Sequence, residues 1–440
     1  MTTERRLERD LPQILGDLAT GPYPDYIDDV LATTAQRRQR PAWTFPERWL
    51  PMVDVAREPV LSPRLPWRAI SLALLMIALL LAAAAVYIGS QTRLPAPFGT
   101  AGAGLIAYAA NGDIYTADPI NGLATAIVSG PETDLGPRFS RDGTHIVFER
   151  KVDGDSGPGQ LYVARSDGTE PTLITPDPVL LAQEGVGDPW EQYQFSPDGR
   201  SVLIAAAVGE LPTILIAQSD GSGVRQLGVS IAAHEPTFRP PDGAEILYVS
   251  PDRPGVSGSG IFAVDPATGV VRPIVPPASN IWDYGQAAWS PDGTQVAYIR
   301  WGGPGEGLTS HVWVVGVDGK GARQLPESSG TIWSADPVWS NDGKRLFIIR
   351  GDGPLPGDAR PAVVPADGSG TGTDIESGGI FIGECCLTAL WAPDDASILV
   401  RPVDAVGLPL PQVIVDPVAG TTRPAPWGTT SDPTWQRLGQ

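Results

Sequence analysis

The sequence predicts an all-β protein: a seven-bladed β-propeller closed by its C-terminal strand, preceded by one transmembrane helix and a short α-helical cytoplasmic segment. Three observations support this prediction. A short aromatic-and-turn motif recurs between residues 139 and 437, short strands and tight turns follow it in a constant order, and one long uncharged segment lies nearer the N-terminus.

The repeated motif is clearest at Trp289–Gly293, which reads WSPDG. Its other copies are Phe139–Gly143 (FSRDG), Phe195–Gly199 (FSPDG), Phe238–Gly243 (FRPPDG), Trp339–Gly343 (WSNDG), Trp391–Asp395 (WAPDD) and the truncated Pro433–Arg437 (PTWQR). Consecutive leading aromatics are separated by 43 to 56 residues. A period of about 40–50 residues is typical of repeat arrays whose unit is one supersecondary element.

The repeat unit is best seen in residues 287–326. A short strand ends in Trp289, a tight turn follows at Ser290–Gly293, and Thr294–Arg300 forms a second strand. A glycine-rich loop leads to a third strand at His311–Val317, and a turn at Asp318–Gly321 leads to a short fourth strand. Proline presets φ in such turns, aspartate bonds back to the backbone, and glycine accepts a left-handed conformation. Four short strands with these turns predict a propeller blade.

The two ends of the array complement each other. Residues 105–129 contain three strands without a preceding motif, and Pro433–Arg437 is a motif without following strands. We therefore expect the C-terminal strand to complete the first blade, which would leave no open sheet edge.

The uncharged segment, Ala69–Gly89, is 21 residues long. That length crosses a hydrocarbon core at about 1.5 Å per residue. A buried core helix rarely lacks a polar face over this length, and a cleaved signal peptide has a shorter apolar region closer to the N-terminus. Arg57, Arg64 and Arg68 precede the segment and only Arg93 follows closely. The positive-inside rule then predicts a single-pass cell-membrane protein with a cytoplasmic N-terminus and an extracytoplasmic propeller.

Four regions follow from these patterns: a cytoplasmic helical and juxtamembrane segment (1–68), the transmembrane helix (69–89), a linker (90–104) and the propeller (105–440). Apolar residues at helical spacing in residues 4–19 and 25–31 predict a short helical hairpin within the first region.

Charge and cysteine content exclude several kinds of partner. The net charge of −19 disfavours phosphate backbones, so no nucleic-acid partner is expected. The two cysteines, Cys385 and Cys386, are adjacent and form neither a disulfide framework nor a zinc site. A strained vicinal disulfide and two free thiols both remain open for this pair. No metal and no cofactor are expected.

The motif followed by an alternating apolar strand resembles the TolB-like, WD-type propeller repeats of bacterial envelope proteins. This resemblance covers about three quarters of the chain and implies an extracytoplasmic propeller that binds other proteins or envelope components. The chain departs from TolB in its uncleaved membrane span and in having no recognisable N-terminal partner domain. The cytoplasmic hairpin before a single span also resembles the layout of membrane-bound anti-sigma regulators, although residues 1–68 contain no His/Cys set for zinc.

Ligand binding is expected on the face that carries the long, variable loops, because repeat arrays place function where insertions are accepted. Aromatic side chains beside carboxylates at its rim could receive a cationic or peptide ligand. The candidate residues are Trp190, Glu191, His234, Glu235, Trp282, Asp283, Tyr284, Trp333, Asp336, Trp427 and Asp432. The alternative for Glu235, Asp336 and Asp432 is structural: each would bond neighbouring backbone and pin one blade to the next.

Catalysis is not expected from the sequence. The chain has three histidines, and we find no G-x-S-x-G nucleophile elbow and no converging nucleophile, base and orienting group. The expected function is therefore a non-enzymatic, membrane-anchored scaffold that binds a protein, a peptide or an envelope polymer. The first alternative is anti-sigma-like transmembrane signalling, with the propeller as sensor and a cytoplasmic regulator bound at residues 1–40. A propeller hydrolase or lyase is the second.

Overall fold

A computed structural model of the chain divides it into two units, Met1–Ala84 and Ala85–Gln440. It describes residue 32, residues 71–78 and residues 98–439 except 152–158, 176, 178–192, 209–210, 231–235, 251–258, 279–282, 303–308, 329, 354–358, 377–387, 403–409, 428 and 430. In the first unit, residues 71–78 are helical. No helix within the described residues is long and apolar enough to cross a membrane. The remainder of the predicted span and nearly all of the predicted cytoplasmic segment lie outside the described residues.

The described part of the second unit forms seven four-stranded antiparallel sheets. Blade 1 contains β1 (Gly102–Ala110), β2 (Asp113–Ala117) and β3 (Ala124–Val128). Blade 2 contains β4 (Asp134–Phe139), β5 (His145–Lys151), β6 (Gly159–Arg165) and β7 (Thr172–Leu173). Blade 3 contains β8 (Tyr193–Phe195), β9 (Ser201–Val208), β10 (Leu211–Gln218) and β11 (Val224–Ser230). Blade 4 contains β12 (Thr237–Phe238), β13 (Ile246–Ser250), β14 (Gly260–Val264) and β15 (Val271–Val275).

The remaining blades follow the same plan. Blade 5 contains β16 (Asp283–Trp289), β17 (Gln295–Trp301), β18 (Ser310–Gly316) and β19 (Arg323–Gln324). Blade 6 contains β20 (Trp333–Trp339), β21 (Arg345–Gly351), β22 (Ala359–Pro365) and β23 (Thr373–Asp374). Blade 7 contains β24 (Thr388–Trp391), β25 (Ile398–Arg401), β26 (Val413–Asp416) and β27 (Thr421–Pro424), and β28 (Thr434–Leu438) returns to blade 1.

Blade 1 is closed by the C-terminal strand, as expected. Its strand order is β28-β1-β2-β3, and Trp435 and Thr434 pair with Ile106 and Ala107. The all-β, seven-bladed architecture is thereby confirmed. Strand β1 begins at Gly102, inside the segment expected to be linker.

The tight turn of the motif is held by its own side chains. In blade 5 the Ser290 hydroxyl donates to Asp292 Oδ1 at 2.6 Å, and Asp292 Oδ1 also accepts from the Thr294 N–H at 3.1 Å. Gly293 closes the turn at φ 69°, and a Cβ there would meet the Pro240 carbonyl oxygen of blade 4 at 2.0 Å. Glycine is therefore required both by the backbone conformation and by the contact between blades.

The hydrophobic core lies between blades, where the leading aromatics are buried. Trp289, Trp339 and Trp391 donate their indole N–H groups to backbone carbonyls of the preceding blade: Thr237 at 3.2 Å, Ala288 at 3.2 Å and Val338 at 3.1 Å. The expectation that the motif tryptophans form the inter-blade core is confirmed.

The topology gives the propeller two distinct faces. The tight-turn face contains the turns between first and second strands and between third and fourth strands, such as Ser290–Gly293 and Asp318–Gly321. The insertion-bearing face lies where the first strand of each blade begins and the second strand ends. In blade 6 these positions are Trp333 and Gly351, which pair with each other. The chain enters at the tight-turn face: the Ala101 N–H donates to the Pro393 carbonyl at 2.7 Å, between blades 7 and 1.

Candidate functional site

The structure describes only part of the site expected from the sequence. Trp190, Glu191, His234, Glu235, Trp282 and the side chain of Asp283 lie outside the described residues, as do Cys385 and Cys386. The described candidates are Tyr284, Trp333, Asp336, Trp427 and Asp432.

Two of the described aromatic candidates are buried within the blades. Tyr284 is 4% exposed and packs edge-on against Tyr298 at a centroid distance of 5.9 Å. Trp333 is 8% exposed, and its indole N–H donates to the Gly353 carbonyl at 3.0 Å. Both rings therefore fill packing space at the insertion-bearing end of their blades. Trp427 is half-buried and donates its indole N–H to the side-chain oxygen of Gln412.

The two described carboxylates, Asp336 and Asp432, lie at boundaries between blades. The backbone N–H of Asp336 donates to Gln286 Oε1 of blade 5 at 3.1 Å, and Asp336 adopts a φ of 53°. Asp432 precedes the closing strand, and its Oδ1 lies 2.9 Å from Nε of Arg401 in blade 7. Asp432 thus meets blade 7 through its carboxylate, whereas Asp336 meets blade 5 through its backbone N–H; neither contact is the bond from carboxylate to neighbouring backbone that the structural alternative expects.

Asp432 also belongs to a cluster of charged groups around the buried Tyr193 of blade 3. The Tyr193 hydroxyl donates to the Gly136 carbonyl of blade 2 at 2.7 Å. Burial raises the pKa of Tyr193, the negative charges of Glu149 and Asp432 raise it further, and the Arg138 guanidinium opposes them. We call Arg138, Glu149, Tyr193, Arg401 and Asp432 the axial site. It brings together side chains of blades 2, 3 and 7 and the segment that leads into the closing strand of blade 1.

The axial site is buried and contains charges of both signs. Arg401 is 2% exposed, Glu149 5% and Arg138 9%. Glu149 also pairs with Lys151 Nζ at 2.8 Å. Burying charged groups costs desolvation free energy even when they are paired, so this part of the propeller holds its charges at a considerable cost in stability.

A second charged pair of blade 2 lies beside this site on adjacent strands. Arg150 Nε and Nη2 donate to the two oxygens of the fully buried Asp134 at 2.7 and 2.8 Å. The Arg150 guanidinium also lies over the rings of Phe148 and Tyr162. The paired geometry and the ring contacts hold Arg150 rigidly at the end of β5.

Sequence reasoning missed Arg138, Glu149, Tyr193 and Arg401. A usable signal was present for Arg401, because it ends the otherwise apolar strand ILVR at the insertion-bearing end. No comparable signal marks Tyr193, since an aromatic in a short strand is ordinary core composition.

A polar network links Ser334 of blade 6 with His311 of blade 5 through Glu327. The Ser334 hydroxyl donates to Glu327 Oε1 at 2.6 Å, and His311 Nδ1 lies 3.0 Å from the same oxygen. This order differs from a nucleophile relay, in which the serine bonds to the histidine. Ser334 is also fully buried and accepts the Val312 N–H at 2.9 Å, so the network fastens two blades together.

A crevice of about 270 Å³ opens on the tight-turn face between blades 2 and 3. His145, Arg165, Glu170, Ser219 and Asp220 are among its lining residues. Arg165 and Glu170 are paired at 2.8 Å and both are exposed, and the Asp220 carboxylate accepts the Ser222 N–H of its own turn at 2.9 Å. Its charged groups are therefore already satisfied by local contacts.

Within the described part of the chain, no three His, Cys, Asp or Glu side chains are grouped as metal ligands. This does not test the expectation that the protein has no metal, because His234, Cys385 and Cys386 lie outside that part.

Comparison with known proteins yields similarity at the level of the fold. No family model and no curated protein matches the chain. Among solved structures, TolB from Acinetobacter baumannii is 20% identical with a TM-score of 0.42, and the match covers 62% of this chain and 63% of TolB. An oligogalacturonate lyase in complex with manganese is 15% identical with a TM-score of 0.49, covering 74% of this chain and 85% of the lyase. A puromycin-hydrolyzing peptidase of Mycobacterium tuberculosis is 16% identical with a TM-score of 0.44, covering 77% of this chain and 58% of the peptidase.

These neighbours correct the functional expectation drawn from the sequence. A lyase and a peptidase stand beside TolB among the similar structures, so resemblance to TolB does not mark the chain as non-enzymatic. The expectation of a non-enzymatic scaffold was therefore wrong. The activities of these neighbours are not transferred to this chain, because similarity at these identities shows the fold alone.

Proposed function

We propose that the propeller recognises a peptide or protein segment by admitting one charged group of that ligand to the axial site. The observation that carries this proposal is the buried Tyr193 hydroxyl, which donates to the Gly136 carbonyl at 2.7 Å and is influenced electrostatically by Glu149, Arg138 and Asp432. Groups whose ionisation is perturbed by burial and by specific charged partners are concentrated at functional sites.

The burial of the axial site favours a single inserted group over a broad docking surface. Its charged side chains are almost completely buried, so a chain terminus or one side chain fits better than a folded surface. Both signs of charge are present, and a ligand's ammonium or carboxylate could therefore find a partner in Asp432 or Arg138. Such a contact would be strong, because charge-assisted hydrogen bonds gain strength away from water.

An array of unstructured peptides probed with the full chain tests this proposal. We expect Arg138→Gln and Asp432→Asn to lose the peptides that the unaltered protein retains. Glu170→Gln is the matched control, because Glu170 is exposed on the opposite face. If the two axial variants retain the same peptides as the control, or if the unaltered protein retains none, the axial site is not a recognition site. Mass spectrometry of the retained peptides reports whether recognition leads to turnover.

We further propose that the protein is a membrane-anchored, WD-type member of the TolB-like propellers, with residues 69–89 in the membrane and the propeller outside the cytoplasm. The uncharged length of Ala69–Gly89 and the arginines before it support this topology. Protease added to intact spheroplasts should digest the propeller and leave an epitope fused to the N-terminus protected. Digestion of the epitope, or protection of the propeller, would contradict the proposed topology.

A further inference from the structure

The turns between the third and fourth strands of blades 1 and 7 have apolar tips. The position two residues after the turn aspartate is Ile120 in blade 1 and Val418 in blade 7. The same position in the other blades carries smaller or polar residues, namely Thr169, Ser222, Ala267, Lys320 and Ser369. Ile120, Leu123 and Val418 are 85%, 75% and 81% exposed, more than any other large hydrophobic side chain in the described part of the chain. The most exposed apolar side chains of the propeller therefore belong to two neighbouring blades.

Each of these two turns is held by its own aspartate. Asp118 Oδ1 accepts the Ile120 N–H at 2.7 Å, and Asp416 Oδ1 accepts the Val418 N–H at 2.8 Å. Such bonds from an aspartate to the backbone two residues on stabilise a turn. The carboxylates are thus engaged within their own turns, and the apolar side chains at the tips remain exposed.

The chain enters the propeller between these same two blades. The Ala101 N–H donates to the Pro393 carbonyl of blade 7 at 2.7 Å. The Gly99 carbonyl accepts a bond from Arg437 Nη2 of blade 1, also at 2.7 Å. Residues 99–101 are therefore fixed to the tight-turn face beside the turns that carry the apolar tips.

The chain before this entry point is short. Only residues 90–97 separate Phe98 from Gly89, the end of the proposed membrane span. A segment of this length reaches at most about 30 Å when it is fully extended. The entry point between blades 7 and 1 can therefore never be far from the bilayer.

We infer that the apolar tips of blades 1 and 7, formed by Ile120, Leu123 and Val418, dock on the surface of the lipid bilayer. This inference rests on the membrane topology proposed above. An apolar face at a membrane surface is buried about 5–10 Å into the boundary between headgroups and acyl chains. Exposed apolar groups of this kind mark sites of interaction with membranes or proteins. Since the three side chains are uncharged, the contact does not depend on anionic lipids.

A second copy of the chain suits these tips less well than a bilayer does. A standard interface between proteins uses roughly 20–30 residues on each side. The apolar tips supply three large side chains on two turns. The short segment before Phe98 also keeps lipid within reach at all times, whereas a second copy would have to be recruited.

The polarity-sensitive fluorophore NBD, attached to the full chain in phosphatidylcholine vesicles, tests this inference. Ile120→Cys and Val418→Cys place the fluorophore on the two tips, in a chain whose Cys385 and Cys386 are replaced by serine. We expect its emission to shift to the blue and to be quenched when the lipid acyl chains carry nitroxide groups. Both side chains are largely exposed, so their replacement should leave the packing of the blades unchanged.

Ser222→Cys is the matched control, because Ser222 is exposed at the same turn position in blade 3. Its emission should stay unshifted and unquenched, and equal quenching there would overturn the inference. A blue shift without quenching at Ile120→Cys would indicate a contact with protein, such as a second copy, and would also overturn it.

Flotation of the same labelled chains with the vesicles distinguishes this inference from the topology on which it rests. If the chain floats with the vesicles and the tips are not quenched, the docking inference alone is wrong. If the chain does not float, the proposed membrane anchor and the docking inference both fail.

Discussion

Asp395 of blade 7 accepts the backbone N–H of Asn341 of blade 6 at 2.7 Å. It stands where most other repeats have the glycine of the turn, and it adopts a φ of 58°. Its carboxylate also accepts the Asp342 N–H at 2.8 Å and the Asn341 side-chain amide at 2.9 Å. The bonds to the preceding blade explain why this repeat tolerates a side chain in a left-handed conformation.

Replacement of Asp395 should separate the stabilisation by its hydrogen bonds from the cost of its left-handed backbone. Asp395→Ala loses the acceptor and keeps the strained backbone, so we expect the free energy of unfolding to fall by about 2–4 kcal/mol. Asp395→Gly loses the acceptor but relieves the backbone, and Asp395→Asn keeps one acceptor oxygen. The expected order of stability is Asp, Asn, Gly, Ala, measured by urea unfolding. An alanine variant more stable than the glycine variant would contradict this account.

The motif tryptophans allow a matched test of one hydrogen bond. The indole N–H of Trp289 has the Thr237 carbonyl as acceptor, whereas that of Trp435 is buried without an acceptor in the described part of the chain. Trp289→Phe should therefore lose about 1 kcal/mol more stability than Trp435→Phe. Trp289→Ala should cost about 3–5 kcal/mol as a core truncation. Equal losses in the two phenylalanine variants, or full stability of Trp289→Ala, would show that these contacts do not contribute as inferred.

The turn aspartates should make the propeller sensitive to acid. Burial opposes ionisation of Asp142, Asp292 and Asp342, but the serine hydroxyl and backbone N–H bonds outweigh it and lower the pKa of each. Because the folded pKa lies below the unfolded value of about 3.9, these groups stabilise the fold above that pH. This stability is lost as the pH falls through the folded pKa.

Ser290→Ala tests the acid prediction in blade 5. It removes the 2.6 Å bond to Asp292, so the pKa of Asp292 should rise and the acid-unfolding midpoint should move to higher pH. Asp292→Asn is the control, because it removes the titrating group; adding Ser290→Ala to it should not move the midpoint further. A midpoint unchanged by Ser290→Ala alone would argue against the hydroxyl as the cause.

The buried pair of Arg401 and Asp432 joins blade 7 to the segment that leads into the closing strand. Arg401→Met leaves the Asp432 carboxylate without its guanidinium, and we expect a loss of about 3–5 kcal/mol. The double variant Arg401→Met with Asp432→Leu should be less destabilised than the single one, because no buried charge is left alone. Urea unfolding of both variants measures the difference, and a larger loss in the double variant would mean that the pair itself stabilises the closure.

The sequence was sufficient for the fold because the repeat is local. Motif turns such as Ser290–Gly293 are built from consecutive residues, so the sequence alone predicts them. The incomplete copies at the two ends of the array implied the closing strand. The candidate site was less predictable because its contacts join distant residues. Tyr193 and Gly136, which it joins by a hydrogen bond, are 57 positions apart, and no local pattern relates them. Tyr284 and Trp333 show a further limit, since the same aromatic spacing suits an exposed rim and a packed interior.

The closure of blade 1 has a consequence for biosynthesis. Strands β1, β2 and β3 are the first of the propeller to leave the ribosome, and their partner β28 is the last, since it spans Thr434–Leu438. Throughout translation β1 therefore has a free edge that other chains could pair with. A chain truncated before Thr434 would keep that edge permanently. The pairing of β28 with β1 therefore distinguishes chains that contain this strand from truncated chains that are prone to aggregate.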